Sequence, residues 1–208
     1  MSFAWGRDGH TAIGILAVNQ LQQDALHELE SIIRPLSKEA MAEECNWPDV
    51  MRENEDGAWS APLHYINIPR GVDSYDQVRD CPLHPERLDH PEGPAKYCVT
   101  EAIKHYAAGL GNSQASNDER RQAFAWLCHL VGLTSPFPTL QADSNWSQEM
   151  VNDWTSESHR IADQAAYPPK KKIKKPFEEQ SWELTQRQIE LAASRLALII
   201  NTELHQNE

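Results

Sequence analysis

From Thr11 to Ile33 (TAIGILAVNQLQQDALHELESII) apolar residues recur three and four apart, the period of one helix face. The pattern predicts a helix over that span, stopped by Pro35. Ser37 is placed to cap a short helix reaching Cys45. Trp47-Pro48-Asp49-Val50 reads as an interruption, because a residue before proline avoids the helical region. The run Leu63-His64-Tyr65-Ile66-Asn67-Ile68, with Pro62 and Pro69 at its flanks, is extended in character. Residues 80–95 hold Pro82, Pro85, Pro91, Gly93 and Pro94 and read as a loop. Beyond it the helical period returns three times. Cys98–Leu110 ends at Gly111, Asp118–Val131 is capped by Asn117 and ended by Gly132, and Trp146–Ala166 ends at Pro168-Pro169. The segment 132–145, with Pro136 and Pro138, is irregular, and Lys170–Lys175 reads as a solvated basic loop. Phe177–Leu204 is a long final helix. No repeat and no sustained strand alternation are visible, so the pattern predicts one all-α domain over residues 1–208.

Composition narrows the function. Asp and Glu number 31 against 19 Lys and Arg, a net charge of −12. A purely electrostatic nucleic-acid binder needs the opposite excess to displace counterions. An enzyme whose positive charge comes from bound metal is still allowed. No apolar run reaches the ~20 residues of a membrane helix, so a membrane partner is not expected. Seven Trp and nine His are both high. Trp47, Trp126 and Trp154 read as core, while histidines in number suggest metal or a solvated surface. The four cysteines, Cys45, Cys81, Cys98 and Cys128, form no C-x-x-C pair and so no zinc ribbon. They allow a disulfide in an oxidising compartment, with the pairing open. Ser2 and Ala4 ahead of Trp5 fit the small-x-small rule for signal cleavage, yet the charged and apolar regions of a signal are absent. Residues 1–4 are therefore a signal remnant or a plain tail.

Several short motifs occur in a telling order. They are Trp5-Gly6 with Gly9-His10, Trp47-Pro48-Asp49, Leu63-His64-Tyr65-Ile66-Asn67, and Cys98-Val99 with Ala102-Ile103. Trp126-Leu127-Cys128-His129-Leu130-Val131-Gly132 follows, then Trp154 with Glu157-Ser158, then Arg195-Leu196-Ala197 with Asn201. In this order and spacing they resemble the S1/P1 nuclease family, zinc-dependent single-strand nucleases related in fold to zinc phospholipase C. The resemblance implies an all-helical cleft with three zinc ions in intact members. It implies that Trp5, through its amino group and carbonyl, and His10 serve one zinc. Asp49, His64 and His129 would hold another, with Asp49 also the catalytic carboxylate. It further implies a Cys81–Cys98 disulfide, single-stranded DNA or RNA as substrate, and a secreted or periplasmic location. A genuine start at Met1 would instead imply the cytoplasm.

The chain departs from the family's His-x-x-Gly-Asp-x-His-Gln-Pro-Leu-His. Leu133 stands where an aspartate bridges two zincs, and Thr139 where a further histidine binds. No His lies between Thr139 and Trp154, so the segment carrying the remaining ligands looks deleted. Three donors still suffice for one zinc with an open position. The expectation is a zinc-dependent phosphodiesterase with one zinc at most and impaired activity. The alternative is a non-catalytic helical binding module with zero or one zinc.

Overall fold

The computed structural model describes residues 6–81, 94, 98–132, 146–165 and 175–205. Among them every regular element is helical and there is no strand, as the hydrophobic period predicts. The chain runs α1 (Arg7–Val18), α2 (Gln23–Ile32), α3 (Lys38–Glu44) and α4 (Trp47–Arg52). A 3-10 helix (Glu55–His64) follows, then α5 (Gln77–Asp80), α6 (Val99–Gly111), α7 (Asn117–Val131), α8 (Gln148–Ala165) and α9 (Lys175–His205). Trp5, the loop at 82–93, the segment holding Leu133 and Thr139, and Pro168-Pro169 lie outside the described residues.

α7 is the axis of the bundle. Its second half, from Ala123 to Val131, is buried without a break, so it is covered on all sides rather than along one stripe. α6 packs along it, and α1, α2, α3, α4 and α9 also touch it. α1 lies along α9. Leu29, Leu63, Ile103, Phe124, Trp126, Leu196 and Ile199 meet in one continuous hydrophobic core. Trp126 is fully buried at its centre. Tyr106 stacks on Trp126 at 5.1 Å, and the Trp47 ring meets it edge-on at 6.1 Å. Trp126 and Trp154 are thus core residues, and Trp47 packs against that core.

The differences from the sequence reading have local causes. The single helix expected over Thr11–Ile33 is two helices, broken between Val18 and Gln23. The amide of Gln22 at the start of α2 donates to the Asn201 side chain of α9 at 2.8 Å. A partner 179 residues away thus satisfies one of the orphan donors that a new helix start creates. The apolar period continues through the break, which hides it. Trp47-Pro48 does not interrupt a helix but begins one, with proline in the first turn, where a missing N–H costs nothing. Leu63 and His64 close the 3-10 helix, and residues 65–69 carry no regular structure. Ser116, one residue ahead of Asn117, caps α7 in a reciprocal box with Glu119. Ser37 caps α3 as expected, accepting from the amide of Ala40. Lys175, placed in the basic loop by the sequence, is the first residue of α9.

Gly57 fixes how closely the 3-10 helix approaches α4. A β-carbon at this position would lie 1.9 Å from the Met51 carbonyl oxygen and 2.3 Å from the Met51 sulfur. Backbone cannot yield there as a flexible side chain can. Gly57→Ala is therefore expected to destabilise the protein by about 1–3 kcal/mol, the range for overpacking. Urea unfolding of the metal-free protein measures it, and an unchanged midpoint would show that α4 and the 3-10 helix are not held this way.

Candidate metal centre

Four segments distant in sequence bring their donors to one place. His10 lies in the first turns of α1 and is fully buried. Asp49 sits in the first turn of α4, half-buried. His64 ends the 3-10 helix, and His129 lies in the last turn of α7, both buried. The His64 Nδ1 and His129 Nε2 atoms are 2.9 Å apart. Asp49 Oδ1 lies 3.6 Å from His64 Nδ1 and 3.7 Å from His129 Nε2. The His10 ring stacks on the His129 ring with centroids 4.0 Å apart. His10, Asp49 and His129 can each offer one ligand atom within 4.8 Å of the other two.

The structure brings together residues that the sequence reading assigned to two different ions. His10, expected beside Trp5 at a different ion, shares the cluster of Asp49 and His129. Trp5 lies outside the described residues. Two overlapping trios result. Asp49 and His129 belong to both, His64 completes one and His10 the other.

The donor set suits zinc. Tetrahedral zinc with bonds of 2.0–2.1 Å has ligand-to-ligand edges of roughly 3.3 Å. The separations of 2.9, 3.6 and 3.7 Å within Asp49, His64 and His129 bracket that edge. His129 is also oriented from behind, its Nδ1 facing the Cys45 backbone carbonyl at 3.1 Å. When Nδ1 carries the proton and donates to that carbonyl, Nε2 presents a lone pair to Asp49 and His64, the usual arrangement of a metal-binding imidazole.

The electrostatics keep the rings neutral. Burial, then the charges of Arg52 and His10, pushes the His64 pKa down to about 3. Burial holds His129 well below the ordinary imidazole value, reinforced by His10 and His64 and opposed by the Cys45 hydrogen bond. The close approaches of Asp49 to these rings are therefore not ion pairs at neutral pH. Burial raises the Asp49 pKa, against the pull of Arg52. The Arg52 guanidinium contacts Asp49 Oδ1 at 2.9 Å across one turn of α4. Sequence reasoning missed Arg52, because an i, i+3 pair has meaning only once Trp47–Arg52 is seen to be helical.

The cysteines form two disulfides, Cys81–Cys98 and Cys45–Cys128. The first matches the pairing implied by the resemblance. The second was left open by the sequence and lies directly behind the centre, since Cys128 precedes His129 and Cys45 supplies its carbonyl partner. Beside Asp49 opens a cavity of about 670 Å³, lined in part by Arg7, Trp47, Val50 and Arg121.

Comparison with known proteins agrees with this architecture. Endonuclease 4 of Arabidopsis thaliana is 24% identical over 136 residues, 63% of this chain and 43% of its own length. Nuclease P1 of Penicillium citrinum is 26% identical over 136 residues, 64% of this chain and 46% of its own. Nuclease S1 of Aspergillus oryzae is 26% identical over 172 residues, 78% of this chain and 54% of its own. The chain thus spans about half the length of the curated relatives it matches. The profile described as S1/P1 Nuclease matches residues 5–137, which include Trp5, His10, Asp49, His64 and His129. With the helical frame and the convergent donors already in place, that match means the chain belongs to the S1/P1 nuclease family.

Proposed function

We propose that this chain binds a single zinc ion at Asp49, His64 and His129 and hydrolyses phosphodiester bonds in single-stranded nucleic acid, with lower activity than relatives that keep the full ligand set. The observation that supports it best is the spacing of the three donors, close to a tetrahedral edge, with His129 aimed by the Cys45 carbonyl. Two neutral imidazoles and one carboxylate form a familiar catalytic zinc set with an open fourth position. Bound zinc supplies Lewis acidity toward a phosphoryl oxygen and makes a water acidic at neutral pH.

The chain's own groups prepare the rest. His64 and His129 are held deprotonated by burial, so no proton has to leave them before a cation binds. Arg52 sets a fixed positive charge beside Asp49, where an anionic phosphodiester would approach. Trp47 in the neighbouring cavity offers an aromatic face that suits an unpaired base. The cavity's two cations, Arg7 and Arg121, are outnumbered by Glu43, Glu44, Asp49 and Asp118, and Arg121 is paired with Glu44. The lining thus shares the sign of the overall charge of −12, which opposes long-range attraction of nucleic acid, so the positive charge for a phosphodiester would come mainly from the bound metal. Two disulfides fit a secreted or periplasmic setting, and the cytoplasmic alternative is disfavoured for the same reason. Leu133 and Thr139, where the family places an aspartate and a histidine, favour a second reading: a binding module that keeps the fold and lacks turnover.

Metal analysis and an assay on single-stranded DNA and RNA separate these. One zinc per chain, with cleavage above that of a His64→Ala control, is the expected result. One zinc without such cleavage leaves the binding module, and two or three zincs would overturn the single-ion assignment. His129→Ala removes one of the two donors common to both trios, so zinc content should fall from about one per chain to near zero.

The buried imidazoles also set a pH dependence in the metal-free protein. The unfolded chain takes up protons on His64 below its ordinary value of 6.5, while the folded protein resists until about 3. His64 and His129 therefore contribute stability that is complete above about 6.5 and is lost as pH falls through that window. Asp49, raised by burial, acts in the opposite sense only in the carboxylate range. The melting temperature in chelator should be level from pH 8 to 7 and then fall toward pH 5. A flat profile would mean that the rings are solvated.

A further inference from the structure

Cys45–Cys128 lies at a junction that its covalent role alone does not explain. The bond joins the end of α3, two residues before α4, to the last turn of α7. Those segments carry Asp49 and His129. It also presses against α1, the helix of His10. A β-carbon on Gly14 would lie 2.4 Å from the Cys45 sulfur and 2.8 Å from the Cys128 sulfur. Only glycine admits the bridge at that distance. His10 and Gly14 are one helical turn apart and share a face. One face of α1 therefore meets the His129 ring through His10 and the disulfide through Gly14.

The bridge also acts on the ligand itself. Cys45 is the residue whose carbonyl faces His129 Nδ1 at 3.1 Å, and Cys128 is joined to His129 by the chain. The covalent link thus holds the acceptor and the imidazole it orients in register. Without it, the carbonyl and the ring are related only through non-covalent contacts between α3 and α7, packing and the Arg121–Glu44 ion pair.

We propose that Cys45–Cys128 is a positioning device for the metal centre, one that keeps His10, Asp49 and His129 in register and sets zinc affinity. This rests on the proposed zinc site at Asp49, His64 and His129; the bridge holds two of those donors, Asp49 and His129, and His10 stacks on the His129 ring. Removing an outer partner that orients a metal-bound histidine costs about 10–100-fold in affinity. A loss of that size is expected for the Cys45→Ala/Cys128→Ala variant. By linkage, zinc must then make the bond harder to reduce by the same factor.

The test measures zinc dissociation constants by competition with a chromogenic chelator. It compares the full chain, Cys45→Ala/Cys128→Ala, and Leu204→Ala. Leu204 is a core residue on α9, three residues beyond Asn201, which bonds to Gln20 and Gln22 past the far end of α1. It controls for loss of stability away from the centre. The proposal expects about 10–100-fold weaker zinc binding in the cysteine variant and unchanged binding in Leu204→Ala. Equal affinity in the cysteine variant and the parent chain overturns it, as does an equal loss in Leu204→Ala. A parent chain that binds no zinc refutes the zinc-site assignment instead, and so is told apart from failure of this inference. If the cysteine variant does not fold, the parent chain still decides. A dithiol reductant converts the bridge to two thiols as it closes to its own cyclic disulfide. The reductant concentration that half-reduces Cys45–Cys128, read by alkylation and mass spectrometry, must rise with saturating zinc. No shift with zinc overturns the proposal.

Discussion

Three imidazole rings and one carboxylate share a volume from which water is largely excluded, and the rest of the molecule is arranged around that fact. Burying polar rings is costly unless each nitrogen finds a use. Here the rings meet one another, Asp49 and the Cys45 carbonyl rather than solvent. Burial holds His64 and His129 neutral, and a neutral imidazole is the form that binds a cation. The same burial raises the Asp49 pKa, and Arg52 pulls it back. The centre is therefore balanced between desolvation and one nearby guanidinium.

α7 connects this balance to the core. Trp126 and His129 occupy adjacent turns of one helix. The His64 ring meets Trp126 edge-on at 5.6 Å and His129 at 4.8 Å. The aromatic core and the donor cluster are thus one packed unit. Interiors packed to crystal-like density transmit small displacements, so the position of a donor depends on side chains that never touch a ligand. Gly57 and Gly14 serve the same end. Each removes a β-carbon where two elements must come closer than a side chain would allow.

Much of this could be read from the chain. Apolar residues at helical spacing located α6, α7, α8 and α9, and the Ser37 cap located α3, within a few residues. His64 and His129 stand out because each sits in an apolar run, and Asp49 because it follows Trp47-Pro48. The break between α1 and α2 was not legible, because the apolar period runs through it and the Asn201 side chain that receives the Gln22 amide comes from the other end of the chain. The helical character of Trp47–Arg52 was misjudged. The residue before proline was weighed, but proline's fitness for a first turn was not. Arg52 was lost with it.

What the sequence determines alone is the residue chemistry and its local period: an all-helical chain, acidic overall, with histidines and an aspartate in a family-like order. These follow from side-chain spacing, which depends only on neighbours along the chain. Which donors meet was decided by tertiary packing. His10 joins Asp49 and His129 because α1 lies against α7, and Cys45 pairs with Cys128 because Gly14 leaves room for the bridge. Distances between residues 31 to 119 positions apart depend on how whole helices settle against one another, and no local period carries that information.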